Sequence, residues 1–247
     1  MTDTASLARA TEGVGAVVHL VAIIAGKPGD FERIMEQGTR NLVTAAQAAG
    51  AGRWIQMSAL GTNDETRDVV PYFHAKWEME KLVEASGIPY VIFRPSFVFG
   101  PDGGVLQGFV RLARYAPVMP VPGTGKQRIQ PIWADDVAAY FVKALDLDAA
   151  TNRRFDLGGP DQVTWDELYA RLRHVYRRRG ATLHVPLGLM RAQAALLERL
   201  PKPPLTRDML RMLEAGDNTV EDGGAAVETF GIPLLPLDDQ LRRAGSS

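Results

Sequence analysis

Ala16-Val-Val-His-Leu-Val-Ala-Ile-Ile24 is the stretch whose reading decides the fold. It is short, β-branched and apolar on both faces of an extended chain, the pattern of a strand buried in a parallel sheet. After it, Phe31, Ile34, Met35, Leu42, Ala45, Ala46 and Ala49 recur at helical spacing, punctuated by Gly50 and Gly52. Arg53-Trp-Ile-Gln-Met-Ser58 reads as a second strand. A polar loop over residues 61–68 leads through Pro71 to a predicted helix over 72–86, stopped by Gly87 and Pro89. Tyr90-Val-Ile-Phe-Arg94 is a third strand, closed by Pro95.

This alternation predicts an α/β fold with a parallel sheet and right-handed crossovers. Residues 101–130 hold several glycines and prolines and read as loop with one helix over 106–115. A helix over 135–146 and a late strand, Arg154-Phe-Asp-Leu157, follow. From Val163 the pattern is helical, with breaks at Pro201, Pro203 and Pro204.

Composition narrows the chemistry. The chain has 247 residues, 46% of them apolar, and a net charge of −1, so bulk electrostatics gives no case for nucleic acid as partner. Zero cysteines exclude disulfides, thiolate metal sites and thiol nucleophiles. His19, His74, His174 and His184 form no ligand pair at helical spacing, so no metal site is expected. The stretch from Val14 to Ala25 is interrupted by His19 and falls short of the roughly 20 residues of a membrane helix, and no signal peptide is visible. The cytoplasm is the expected compartment.

Two residues stand out chemically. Tyr72 and Lys76 are four apart on one predicted helix face. A free tyrosine is a poor acid or base at neutral pH, and a nearby ammonium is expected to lower its pKa toward the working range. Ser58, at the carboxyl end of the second strand, is placed to donate a hydrogen bond to a substrate carbonyl, and ligands of open α/β sheets sit at strand carboxyl ends. On spacing alone a chance Tyr–Lys surface pair is the better reading.

The order of segments shifts that balance. Gly13-Val-Gly-Ala-Val-Val-His-Leu-Val-Ala22, Gly38-Thr-Arg-Asn-Leu42, Trp54-Ile-Gln-Met-Ser-Ala-Leu-Gly61, Tyr72-Phe-His-Ala-Lys76, Phe93-Arg-Pro-Ser-Phe-Val-Phe-Gly-Pro101, Gln130-Pro-Ile-Trp-Ala-Asp-Asp-Val137 and Phe155-Asp-Leu-Gly-Gly-Pro160 occur in sequence. Together they resemble the extended or atypical branch of the short-chain dehydrogenase/reductases, the epimerase/dehydratase superfamily. His184-Val-Pro-Leu, Leu200-Pro-Lys-Pro-Pro-Leu-Thr and Phe230-Gly-Ile-Pro are similar to the NDUFA9-like group, related to an accessory subunit of respiratory complex I.

The resemblance implies a Rossmann-type domain over residues 1–160, with 101–130 contributing to the substrate side, and a smaller, mostly helical domain over 161–247. It implies NAD or NADP as cofactor, Tyr72 as acid/base and Lys76 as its ribose-binding partner. Val21 and Ala22 would line the adenosine side, and Pro95, Ser96, Phe97 and Val98 would border the nicotinamide. The function implied is an NAD(P)-binding oxidoreductase acting on a small molecule of unspecified class. The alternatives are a non-catalytic accessory or assembly factor of a respiratory membrane complex, peripheral to the inner face of the membrane, and a sugar-nucleotide epimerase or dehydratase. Asp135 and Asp136 match a motif tying sheet to second domain, though two carboxylates in a helix's first turn equally suit its dipole.

Three departures weigh against catalysis. Met35 stands where many relatives have an asparagine of the proton relay, and Leu60 where extended enzymes place a serine or threonine. No glycine-rich turn follows a strand, since Gly13-Val-Gly15 precedes one and Gly123-Thr-Gly-Lys126 reads as a plain turn. The resemblance therefore predicts a sheet lacking its first strands and glycine-rich loop. Ala16 to Ile24 would then be an apolar edge, and dinucleotide would bind firmly only with that segment restored.

Overall fold

A computed structural model of the chain describes residues 1–27, 29–101, 104–200, 203, 205–221 and 224–245; the expected breaks at Pro201 and Pro204 lie outside them. In chain order the elements are α1 (Thr4–Thr11), β1 (Ala16–His19), a π-helical turn (Phe31–Glu36) running into α2 (Gln37–Ala48), β2 (Arg53–Met57), α3 (Pro71–Glu84), β3 (Tyr90–Pro95) and β4 (Val98–Phe99). Then come α4 (Gly104–Tyr115), β5 (Val118–Pro122), β6 (Arg128–Ile129), β7 (Ile132–Trp133), α5 (Ala134–Lys143), a 3₁₀ turn (Asp148–Ala150) and β8 (Arg153–Leu157). β9 (Val163–Thr164), α6 (Trp165–Val175), β10 (Ala181–Val185), α7 (Leu187–Leu197), α8 (Arg207–Glu214), α9 (Ala225–Phe230) and α10 (Leu237–Ala244) complete the chain.

Two compact units result. The first comprises Met1–Pro95, Ala138–Leu157 and Gly224–Gly231; the second comprises Ser96–Val137, Gly158–Gly223 and Ile232–Ser247.

The first unit is built on a parallel sheet of order β1-β2-β3-β8. Its strands lie within the apolar runs that predict them, but β1 stops at His19, where its pairing with β2 ends at Gln56, short of the expected Ile24. Trp54, Ile55, Val91, Ile92 and Phe93 are buried, and Phe93 meets Tyr140, Phe141, Phe155 and Phe230 at centroid distances of 5.0–6.1 Å. Under one face, Val17 and Trp54 pack with Val43, Ala46 and Val83. Pro71 opens α3 at a position needing no N–H partner, and Gly87, at φ +73°, makes the turn that follows its end. Arg53 is buried and spends its guanidinium on the carbonyls of Ala144 and Leu147, at 2.7–2.9 Å, satisfying oxygens after the end of α5.

β1 is one of the two outer strands of this sheet among the described residues, β8 being the other. The residues of β1 alternate sharply: Val17 and His19 are buried, while Val18 is 44% exposed, and beyond the strand Leu20 and Ile24 are 56% and 62% exposed. The apolar edge expected from the sequence is present.

The second unit has a core of its own, with Phe99, Leu106, Val110, Met119, Trp133, Trp165, Tyr169 and Leu241 among its buried members. α6 begins with a capping box, Thr164 and Glu167 each holding the other's backbone N–H. Here the structure adds strands that helical periodicity did not announce. β10 runs parallel to β5, Ala181 opposite Val118 through Val185 opposite Pro122. Four of its five residues are exposed, so backbone pairing rather than a buried face holds it, and no apolar alternation marks it.

Candidate functional site

Ser58, Tyr72 and Lys76 converge at the carboxyl end of β2. Ser58 follows the strand directly, and its N–H donates to the Phe93 carbonyl at 2.7 Å, which fixes the backbone there. Its hydroxyl is buried and has no hydrogen-bond partner among the described residues. Lys76 comes to the same point from α3 and donates from Nζ to the carbonyl of Met57, the residue before Ser58, at 2.8 Å. Tyr72 lies one turn earlier, its ring centroid 5.8 Å from that ammonium.

The electrostatics differ from the expectation in a definite way. Burial pushes the Tyr72 phenol up to about 12, where a neighbouring ammonium was expected to pull it down. Lys76 is 1% exposed, and burial lowers its pKa to about 8, opposed by the charge of Glu80. The physical reason is that desolvation penalises both charged forms, and the ammonium is directed at a carbonyl rather than at the phenol oxygen. Tyr72 is therefore a neutral phenol at physiological pH. Glu80 is itself completely buried and forms a two-point pair with Arg94 of β3 at 2.9 and 2.6 Å.

The other sequence-predicted positions are dispersed. Val21 and Ala22 lie exposed in the segment after β1. Pro95 ends β3, its carbonyl accepting the Leu60 N–H at 2.9 Å. Ser96, Phe97 and Val98 fall in the second unit, where Ser96 donates to Asn218 Oδ1 at 2.5 Å and Phe97 packs edge-on to Trp165 at 5.7 Å. Asp135 accepts from Trp133 Nε1 at 3.0 Å and Asp136 from the Leu235 N–H at 2.9 Å, which gives both structural duties. Met35 is buried against Ala75 and Met79, with Tyr72 packed on the cluster, so the position takes an apolar role.

Sequence reading passed over two residues of this site, His19 and Gln56. Both are buried polar side chains facing each other in register across β1 and β2, and the signal was a polar residue, His19 or Gln56, interrupting each apolar run. Among the described residues no group of three acidic or histidine side chains could hold a metal ion. Among the described residues no helix is long and apolar enough to cross a membrane either.

A nicotinamide dinucleotide is tested best against the orphaned atoms. The unpartnered Ser58 hydroxyl and the two N–H bonds that Lys76 leaves unused fit the nicotinamide–ribose half. For the pyrophosphate half, neither a G-x-G-x-x-G nor a G-x-x-G-x-x-G sequence follows β1, β2 or β3.

Comparison with known proteins places the chain among NAD(P)H-binding proteins. A family model described as NAD(P)H-binding matches residues 1–148. The chain is 27% identical over 166 residues to the mitochondrial NADH dehydrogenase [ubiquinone] 1 alpha subcomplex subunit 9 of Arabidopsis thaliana, covering 65% of this chain and 41% of that protein. It is also 27% identical over 182 residues to a ceramide reductase of Caulobacter vibrioides, covering 73% and 56%. It thus spans about half the length of these curated relatives. Among solved structures, the NADPH-dependent quinone oxidoreductase QOR2 of Escherichia coli, complexed with NADPH, superposes with a TM-score of 0.77 at 19% identity, over 97% of this chain and 80% of that one. At that identity the likeness establishes the Rossmann-type fold.

Proposed function

The chain belongs to the NAD(P)H-binding family, and on that footing we propose that it serves a nicotinamide-dependent oxidoreductase of the short-chain dehydrogenase/reductase type, working in the direction of carbonyl reduction. The observation that carries this reading is the convergence of Ser58, Tyr72 and Lys76 on the carboxyl end of β2. Ser58 Oγ, already desolvated and unpartnered, donates to a substrate oxygen without giving up another bond. Tyr72 Oη holds the proton that this oxygen takes, since burial keeps the phenol protonated. Lys76, anchored on the Met57 carbonyl, offers its remaining N–H bonds to ribose hydroxyls. The bound nicotinamide supplies the reducing equivalent. Residues 1–160 would carry the cofactor, with 101–130 and 161–247 shaping the substrate side.

In a version of the chain carrying a glycine-rich dinucleotide-binding segment, Tyr72→Phe is expected to lower NAD(P)H-dependent turnover by roughly 10²–10⁴-fold while leaving cofactor affinity unchanged. Unchanged turnover would remove Tyr72 from the mechanism. Calorimetry with NADH and with NADPH is expected to show no submicromolar binding by these 247 residues, because no glycine turn cradles the pyrophosphate.

A second reading is a cofactor-binding accessory protein of a respiratory complex, placed on the inner face of a membrane. It is favoured by the likeness to a subunit named for NADH dehydrogenase and by Met35 and Leu60 at the relay and hydroxyl positions. Co-purification with a respiratory membrane complex, without carbonyl reduction, would decide for it.

A further inference from the structure

His19, Gln56, Trp54, Met57 and Lys76 form one connected hydrogen-bond network inside the first unit. Trp54 Nε1 has only a proton to give, and it donates to Gln56 Oε1 at 3.1 Å. That fixes the orientation of the amide, whose Nε2 donates to the Met57 carbonyl at 3.0 Å. His19 Nδ1 lies 2.9 Å from the same Gln56 Oε1, so Nδ1 carries the proton and donates it. Neutral His19 is therefore the Nδ1–H tautomer, and its Nε2 lone pair is buried without a partner among the described residues. The Met57 carbonyl receives its second donor from Lys76 Nζ at 2.8 Å.

We propose that Gln56 and His19 are positioning residues for Lys76: the Gln56 amide, held at its oxygen by Trp54 and His19, fixes the carbonyl on which the Lys76 ammonium rests and shares its lone pairs. This rests on the reading of Lys76 as the cofactor-side lysine. A neutral amide at this point leaves the ammonium without a counter-charge from the sheet. The charged and titratable groups around Lys76 are Tyr72 and Glu80 on its own helix and His19 from β1, and Glu80 is taken by Arg94 with Arg154 at 3.7 Å. Burial and the Lys76 charge keep His19 unprotonated down to about pH 4, so β1 contributes no second cation at neutral pH.

Gln56→Glu puts a carboxylate of the same shape into the network. In the ¹³C-lysine-labelled chain, with the Lys76 resonance assigned from Lys76→Met, the wild-type lysine is expected to titrate near 8. In Gln56→Glu its midpoint should rise by about one unit, tenfold in proton affinity, and His19 should be protonated at neutral pH. A Lys76 midpoint unmoved in a folded Gln56→Glu protein overturns the proposal and leaves the network a packing feature. Should that variant fail to fold, the ¹⁵N imidazole spectrum of the wild type decides. Protonated Nδ1 with bare Nε2 at His19 supports the proposal, and the opposite tautomer overturns it. No dinucleotide enters either measurement, so absence of NAD(P)H-dependent turnover in a version carrying a glycine-rich dinucleotide-binding segment would sink the oxidoreductase reading without touching this result.

Discussion

In the unit built on the four-stranded sheet, His19, Gln56, Lys76 and Glu80 are all at most 2% exposed, whereas in the other unit helix α7 and the residue three beyond it leave Leu189, Leu196 and Leu200 at least half exposed. Polar groups are inside in one place and apolar groups outside in the other. The first arrangement is costly, and it stands because each of these side chains has a partner: Glu80 with Arg94, Lys76 with Met57, His19 with Gln56. The second costs little, since single exposed leucines are ordinary on a protein surface and α7 fully buries Ala194 and pairs Arg191 with Glu214 of α8. Disturbing the buried network should therefore be felt throughout the first unit, while the leucines of α7 should tolerate change.

The severest test of that contrast is Phe93→Ala, which empties the centre of a ring of four aromatic side chains and should cost about 4 kcal/mol, read as a lower urea midpoint at constant slope. Next is Glu80→Gln. It leaves the Arg94 guanidinium largely buried without its carboxylate and should cost about 3 kcal/mol by the same measurement. A loss as small as that of a surface pair would mean the network is far wetter than its burial indicates.

A pH experiment probes the comparison more gently. His19 has its pKa lowered from 6.5 to about 4, chiefly by burial, so the folded state resists protonation. Its contribution is complete above pH 6.5 and disappears as pH falls through 4, a swing of about 3 kcal/mol. Carboxylates titrate in the same range, so the diagnostic is the stability difference between wild type and His19→Gln, which should shrink as pH falls over that window. The smallest effect belongs to α7. Leu196→Ser should change stability by no more than about 0.5 kcal/mol, and a larger loss would show the exposed leucines to be structural after all.

Much of this was legible in the chain itself. The strands β1, β2, β3 and β8 and the helices α2 and α3 follow from local periodicity, Pro71 and Gly87, because period and punctuation are properties of neighbouring residues. The β5–β10 pair escaped for the complementary reason. Its partners are about 60 residues apart, and an exposed short strand needs no apolar alternation when backbone hydrogen bonds hold it.

The candidate site divides in the same way. The sequence by itself determined that Tyr72 and Lys76 share a helix turn and that Ser58 follows a strand, since both are matters of spacing. Only the tertiary structure decided that the Lys76 ammonium rests on a carbonyl 19 residues away, that His19 is neutral and bonded across 37 residues to Gln56, and that burial raises Tyr72 instead of the lysine lowering it. Charge state depends on desolvation and on partners brought from distant parts of the chain, and neither quantity exists until the sheet and α3 have closed over the site.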